Sequence, residues 1–167
     1  MVRALAATVL LLLAACGAAS ACSLPSPATD VILTVEGMIS ECNEGAEVRM
    51  DRAMIEALPH TQVKTANPWD QESSTYEGFL LRDLMKYVKA SGRTATFSAL
   101  NDYRSDITLS DMDKYDVILA FKRNGQDLPV RDKGPLFVVF PFSDVPELAN
   151  EARYAQSVWQ VNRVAVK

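Results

Sequence analysis

Short apolar runs broken by turn residues dominate this chain, and one longer stretch carries a helical period. The segment 30–36, Asp-Val-Ile-Leu-Thr-Val-Glu, is β-branched and apolar and predicts a strand ended by Gly37. A polar loop around Asn43-Glu44-Gly45 leads to a short strand near 46–50. Asp51 is placed to cap a helix over 52–58, with Met54, Ile55 and Leu58 on one face and Pro59 as its stop. Thr61 to Thr65 reads as a strand, and Asn67-Pro68-Trp69 with Asp70 to Ser74 as a loop. The clearest helix is 79–90: Leu80, Leu81, Leu84, Met85 and Val88 form one apolar stripe, and Gly92 stands where a C-cap glycine would. Strands follow at 94–99 and 103–107, then a short helix opened by a capping box of Ser110 with Asp113. Val117 to Phe121 is a buried-type strand, Asn124-Gly125 a hairpin turn, and 126–130 its partner strand. Leu136 to Phe140 is fully apolar, and Val158 to Val166 alternates as an edge or sheet strand. Many short strands with three short helices make an α+β fold, a mixed β-sheet domain, and exclude a regular βαβ repeat.

The first 21 residues depart from this pattern. Arg3 precedes an apolar run around Leu10-Leu11-Leu12-Leu13, and small residues, Cys16 to Ala21, follow. A charged start, a short apolar core and a small-residue end are the parts of a secretory signal. The run is shorter than the roughly 20 residues a bilayer span needs. Residues 1–21 are therefore expected to be a signal sequence, 22–29 a linker and 30–167 one domain. Two cleavage sites compete. Leu13-Ala14-Ala15-Cys16 resembles a lipobox, which would put a lipid on Cys16, and Ala19-Ser20-Ala21 is an A-x-A site that would free Cys22. The lipobox is favoured because Cys16 directly follows the apolar run. Export implies the periplasm or cell envelope, with membrane contact only through a lipid anchor. Either cut leaves Cys22 and Cys42, a pair suited to one disulfide in an oxidising compartment, with two free thiols as the alternative.

Charge and chemistry narrow the function by exclusion. The chain has 17 basic and 21 acidic residues, a net charge of −4, spread along its length. That balance excludes nucleic acid as a partner. His60 is the one histidine and reads as a solvated loop residue; with no Cys/His spacing beside it, zinc is not expected. There is no glycine-rich phosphate loop and no G-x-S-x-G elbow. The pairs Asp111/Asp113 and Glu147/Glu151 read as solvated faces, and Cys42 has no neighbouring histidine to activate it. No catalytic set emerges from the residues alone.

The order of motifs resembles a known family. Tyr76-Glu77-Gly78-Phe79-Leu80-Leu81-Arg82-Asp83-Leu84 is similar to the w-x-G-v-x-L-x-x-L motif of the oxidoreductase molybdopterin-binding domain, the sulfite-oxidase fold. Asn101-Asp102-Tyr103 resembles its short "ndY" element, and Asp116 to Leu128 its "d-v-l-L-A-x-x-x-N-G-x-x-L" stretch. Lys133-Gly134-Pro135-Leu136 with Phe140-Pro141, and Val158-Trp159-Gln160-Val161, resemble its last two motifs. The resemblance spans 30–167 and suggests a small, single-domain, periplasmic branch. Two departures stand out. Family enzymes hold molybdenum through a cysteine thiolate in the loop before this helix, and here that loop, Thr65-Ala66-Asn67-Pro68-Trp69, has none. Leu136-Phe137 and Val158 stand where the family has basic residues. Gly78, Gly125 and Gly134 can be explained as turn residues, and Trp159 and Phe140 as core filling.

The resemblance thus implies a degenerate cofactor site. The expected function is a non-catalytic module binding a small polar ligand or a periplasmic protein partner, with no cofactor and no metal site. The alternative is a molybdopterin-dependent oxidoreductase with a non-cysteine ligand set. In this fold the cleft lies beside the loop before the helix, which places it near Asn67 and Trp69, approached by Asn101, Asp102 and Tyr103. These carry no positive charge, so a phosphorylated ligand is expected to bind poorly unless Lys64 or Arg104 turns inward. The alternative is a cleft filled by side chains.

Overall fold

Alternation of buried and exposed residues builds two sheets from residues 22–70 and 72–167, those described in this computed structural model. Residues 1–21, expected to be a signal sequence, with Cys16 and both expected cleavage motifs, lie outside the described residues. In chain order the elements are β1 (Leu33–Gly37), β2 (Val48–Met50), α1 (Arg52–Glu56), β3 (His60–Thr65), β4 (Ser74–Leu80), α2 (Leu81–Tyr87), β5 (Thr94–Ala99), β6 (Arg104–Thr108), α3 (Leu109–Lys114), β7 (Ile118–Arg123), β8 (Gln126–Asp127), β9 (Phe137–Val139), a 3-10 turn (Pro146–Leu148), α4 (Glu151–Gln156) and β10 (Val161–Val166). The α+β class holds. No helix among the described residues is long and apolar enough to cross a membrane.

The first sheet runs β2-β1-β10-β5-β6, antiparallel except for the parallel pair β1–β10. The second runs β3-β4-β7-β8, with β9 also paired to β7. Between them lies the main core, drawn from both sheets and from α1 to α3. Phe97 and Val164 come from the first sheet, Phe79, Leu119 and Phe121 from the second, and Leu81 and Leu84 from α2. Each fully buried Phe or Leu there contributes about 1.5–3 kcal/mol. Strand β7 is buried on both faces. Its Leu119 and Phe121 join the main core, while Ile118 and Ala120 join Val63, Tyr76 and Phe137 in a smaller cluster. That double burial explains why β7 reads as a continuous apolar run.

Segment 22–29 is tied to the domain rather than trailing from it. A disulfide joins Cys22 to Cys42. The Ala28 and Thr29 N–H groups donate to Asp51 Oδ2 at 2.7 and 3.0 Å. The other oxygen of the same carboxylate accepts from Met54 N–H at 3.0 Å, so Asp51 caps α1 as its position suggests.

Several elements differ from the sequence reading. The helix expected over 79–90 is only Leu81–Tyr87, because Phe79 and Leu80 finish β4, a strand the pattern did not show. Gly78 likewise lies in β4, not in a turn. Leu80 leaves the stripe and packs on the smaller cluster, while Leu81, Leu84, Met85 and Val88 enter the main core. Gly92 is not the C-cap: Val88 caps α2, and a side chain at 92 would strike the Lys167 carbonyl, 2.3 Å from an ideal Cβ. Helix α3 is capped by Thr108, whose hydroxyl accepts from Asp111 N–H, and not by Ser110. A fourth helix, α4, is capped by Asn150. His60 opens β3 rather than sitting in a loop. The strand expected over 158–166 begins at Val161 and lies inside the first sheet, between β1 and β5. Only Gln126 and Asp127 of the expected 126–130 pair with β7. The turn before them is as expected, with Asn124 at φ 50° and Gly125 at φ 79°.

Candidate functional site

Three connections converge beside one end of the two sheets: the β3–β4 loop, the β5–β6 turn, and α4 with the segment leading to β10. Each is shaped by its own sequence. Asn67 Oδ1 accepts from the N–H groups of Trp69 and Asp70 at 3.0 and 3.1 Å, folding an Asx turn that presents Trp69. Asn101 does the same in the β5–β6 turn, accepting from Tyr103 N–H at 3.1 Å. Tyr103 then donates its hydroxyl to the Ala155 carbonyl at 2.7 Å, which ties the turn to α4. Gln160, at φ 53°, donates its backbone N–H to the Lys133 carbonyl and its side chain to the Val130 carbonyl.

These segments enclose a cleft of about 340 Å³. Its walls are aromatic: Trp69, Tyr103, Tyr154 and Trp159, with Asn101, Ser157 and Gln160 as polar members. The Trp69 and Trp159 rings stand at 89° with centroids 5.3 Å apart, and Trp69 meets Tyr154 at 6.0 Å. Both indoles remain 38 % exposed, so the cleft is open and not filled by its own side chains. Among the described residues no charged side chain lines it.

A buried ionic network lies against Trp159. Lys133 is 8 % exposed; its ammonium stands 5.5 Å from the Trp159 ring centre and donates to Asp70 Oδ1 at 2.6 Å. The Tyr76 hydroxyl and the Asn67 amide donate to Asp70 Oδ2 at 2.6 and 2.8 Å. Arg123 reaches Asp70 at 3.5 Å and Asp132 at 2.5 Å. Burial works to raise the Asp70 carboxyl pKa, but the hydrogen bonds from Lys133, Tyr76 and Asn67 outweigh it and hold the value at about 2. Burial and the Asp70 charge push the Tyr76 phenol up to about 12.

Of the five residues placed at a cleft by sequence, Trp69, Asn101 and Tyr103 line it. Asn67 does not; its amide is absorbed by the Asx turn, Asp70 and Tyr76. Asp102 does not either: at φ 65° it turns to a neighbouring groove with Arg104, Arg163 and Lys167. Lys64 and Arg104 are exposed and outside the cleft. Trp159, explained from sequence as core filling, is a cleft wall, while Phe140 is core. Tyr154 was missed because nothing in the pattern marks α4 as a helix facing the β5–β6 turn, and Gln160 because the residues before Val161 were read as strand. Asp111 is not simply a solvated carboxylate: Arg153 grips it through both terminal nitrogens at 2.8 and 3.1 Å, and that lowers its pKa. Cys42 is committed to its disulfide.

The description "oxidoreductase molybdopterin binding domain" matches residues 33–143, more than half of the chain. The protein belongs to that family. A solved structure with a similar fold is the sulfane dehydrogenase SoxCD from Paracoccus pantotrophus, at a TM-score of 0.61 and 16 % identity. The match covers 80 % of this chain and 37 % of that one, so this domain corresponds to little more than a third of the SoxCD chain. No curated protein sequence matches the chain significantly.

The molybdopterin fold is therefore shared. The residues here do not supply the thiolate that the resemblance calls for: the described cysteines are joined to each other at the β1–β2 side. The loop that should carry the ligand is closed on itself. The Thr65 hydroxyl donates to the Ala66 carbonyl and accepts from Ser143 N–H, and the Ala66 N–H donates to Ser143 Oγ. Among the described residues no three His, Cys, Asp or Glu side chains cluster as a metal site. Among the described residues a pterin phosphate would find no cation on the cleft wall, since Lys133 is paired to Asp70.

Proposed function

We propose that this member of the molybdopterin-binding domain family is an exported, non-catalytic module that binds a small ligand in the cleft walled by Trp69, Tyr154 and Trp159. The observation that carries this reading is an open aromatic cleft beside a ligand loop whose polar groups are already engaged within the protein. Small-molecule sites are concave, largely apolar and furnished with a few convergent polar groups, and this cleft has that composition. Asn101, Ser157 and Gln160 supply the polar groups. Export is supported by the leader pattern of residues 1–21 and by the Cys22–Cys42 disulfide, a bond that persists in oxidising compartments. Lipid on Cys16 would hold the domain at the membrane face.

Metal analysis of protein purified from its own cell envelope tests the cofactor half of this reading. The expected content is below about one tenth of a molybdenum atom per chain, with no pterin released on denaturation. Near-stoichiometric molybdenum would instead establish an oxidoreductase with a non-cysteine ligand set, the alternative that family membership favours. Intact mass of the same preparation tests export: acyl mass on Cys16 is expected, and a mature chain starting at Cys22 without acyl mass would remove the lipid anchor but keep the export.

A further inference from the structure

The walls of the cleft restrict the chemistry of its ligand, granted the reading above that it binds one. The Trp69 and Trp159 rings pack edge to face on each other, and the part of each that stays exposed, 38 %, is the aromatic surface left for a guest. The charges nearest the cleft are already matched: Lys133 with Asp70, Arg123 with Asp132, and Arg153 with Asp111. A charged guest would lose its hydration and gain no counter-ion. A quaternary ammonium meets a further obstacle, since the Lys133 ammonium already stands over the Trp159 ring. The remaining hydrogen-bonding groups include both donors and acceptors. The bonds that shape the cleft use Asn101 Oδ1, the Tyr103 hydroxyl proton, the Ser157 hydroxyl proton and Gln160 Nε2. Among the described residues they leave the Asn101 amide N–H groups and the Tyr154 hydroxyl as donors, and Gln160 Oε1 with the lone pairs of Ser157 and Tyr103 as acceptors.

We propose that the cleft binds a flat, uncharged ring system with hydrogen-bonding groups on its edge. Stacking holds the ring against one exposed indole face, and Asn101 and Gln160 address the polar edge. The volume, about 340 Å³, lies at the small end of the range for such sites and suits a compact ring.

Lumichrome, an uncharged tricyclic dione, is the test probe. FMN presents a related ring with a phosphate, and tetramethylammonium is a cation without a ring. Titration calorimetry and tryptophan fluorescence on the mature protein are expected to show one lumichrome per chain. FMN and tetramethylammonium should bind at least about tenfold more weakly, the discrimination expected when a buried charge goes unmatched. Asn101→Ala, in an exposed turn, and Trp159→Leu should each weaken lumichrome about tenfold. Asn101→Ala and the wild-type ranking decide the matter even if Trp159→Leu folds poorly. FMN binding as tightly as lumichrome overturns the uncharged class. Tetramethylammonium binding best overturns the ring but leaves the ligand-binding function standing. If no probe binds, and a small-molecule fragment screen also leaves Trp69 and Trp159 fluorescence unchanged, both readings fall together.

Discussion

Asp70 keeps its charge in a largely buried position because Lys133, Tyr76 and Asn67 all donate to it. Its pKa of about 2 lies below the ordinary 3.8, so the folded state holds this proton less tightly than the unfolded chain. The resulting stability, ~2 kcal/mol, is fully present above about pH 4 and is lost as pH falls through 2. Urea unfolding of the wild type at pH 6 and at pH 2.5 should show that loss. Asp70→Asn should remove this part of the pH dependence and cost about 3 kcal/mol at pH 6, since it leaves Lys133 buried without its partner. Trp69 behaves differently. It is 38 % exposed, so Trp69→Ala should destabilise by less than about 2 kcal/mol, under the 3–5 kcal/mol of an emptied aromatic core site. A larger loss in a thermal melt would mean that the indole is structural. These contrasts explain what was legible at this scale. Trp69, Asn101 and Tyr103 could be placed by motif. Asn67 looked like a ligand group but serves its own turn, a use of short polar side chains that sequence does not distinguish from binding, and Asp102 turns to a neighbouring groove.

Secondary structure was legible where a single face is buried and obscure where pairing overrides local preference. Phe79 and Leu80 continue an apolar stripe into α2, yet both belong to β4, which β3 and β7 flank. Their helical spacing is real but subordinate to two rows of inter-strand hydrogen bonds. Caps show the same ambiguity on a smaller scale. Both Thr108 and Ser110 precede an acidic residue, but only Thr108 has the extended backbone of an N-cap, at φ −74° and ψ 145°. Thr108→Ala should therefore cost about 1 kcal/mol, and Ser110→Ala only a few tenths. Equal losses in thermal melts of the two variants would contradict the cap seen here. Helix α4 escaped detection because it has six residues and none is fully buried, so no apolar period announces it. Its contribution to the cleft, Tyr154, was lost to the sequence reading with it.

At the scale of the molecule, two sheets enclose one main core, and the disulfide fastens segment 22–29 to its edge. Cysteine arithmetic anticipated that pair, because both proposed cleavage sites leave Cys22 and Cys42. Removing it by Cys22→Ser with Cys42→Ser should cost about 3 kcal/mol, the chain-entropy value for a loop of roughly 20 residues. Denaturant melts under oxidising conditions would measure it, and an unchanged midpoint would show that the backbone bonds to Asp51 suffice. The α+β class followed from the mixture of short strands and helices. The division of the strands between two sheets did not, because pairing across long loops leaves no local trace.

The position of β10 sets a timetable for folding. It is the last strand in sequence, yet it separates β1 from β5 and pairs with both. Its register places Arg163 beside Thr34, joining the two ends of the domain. A nascent chain that has not yet released residue 166 thus holds β1–β2 and β5–β6 as separate hairpins with an unfilled gap between them. Such long-range closure is slow, and the open edges are exposed until it happens. Chains stalled before residue 161 should remain sensitive to protease, and release of the full length should confer protection in one step. A polypeptide built this way leaves its first sheet incomplete until residues 161–166 have emerged, so β1–β2 and β5–β6 reach their final places together and late.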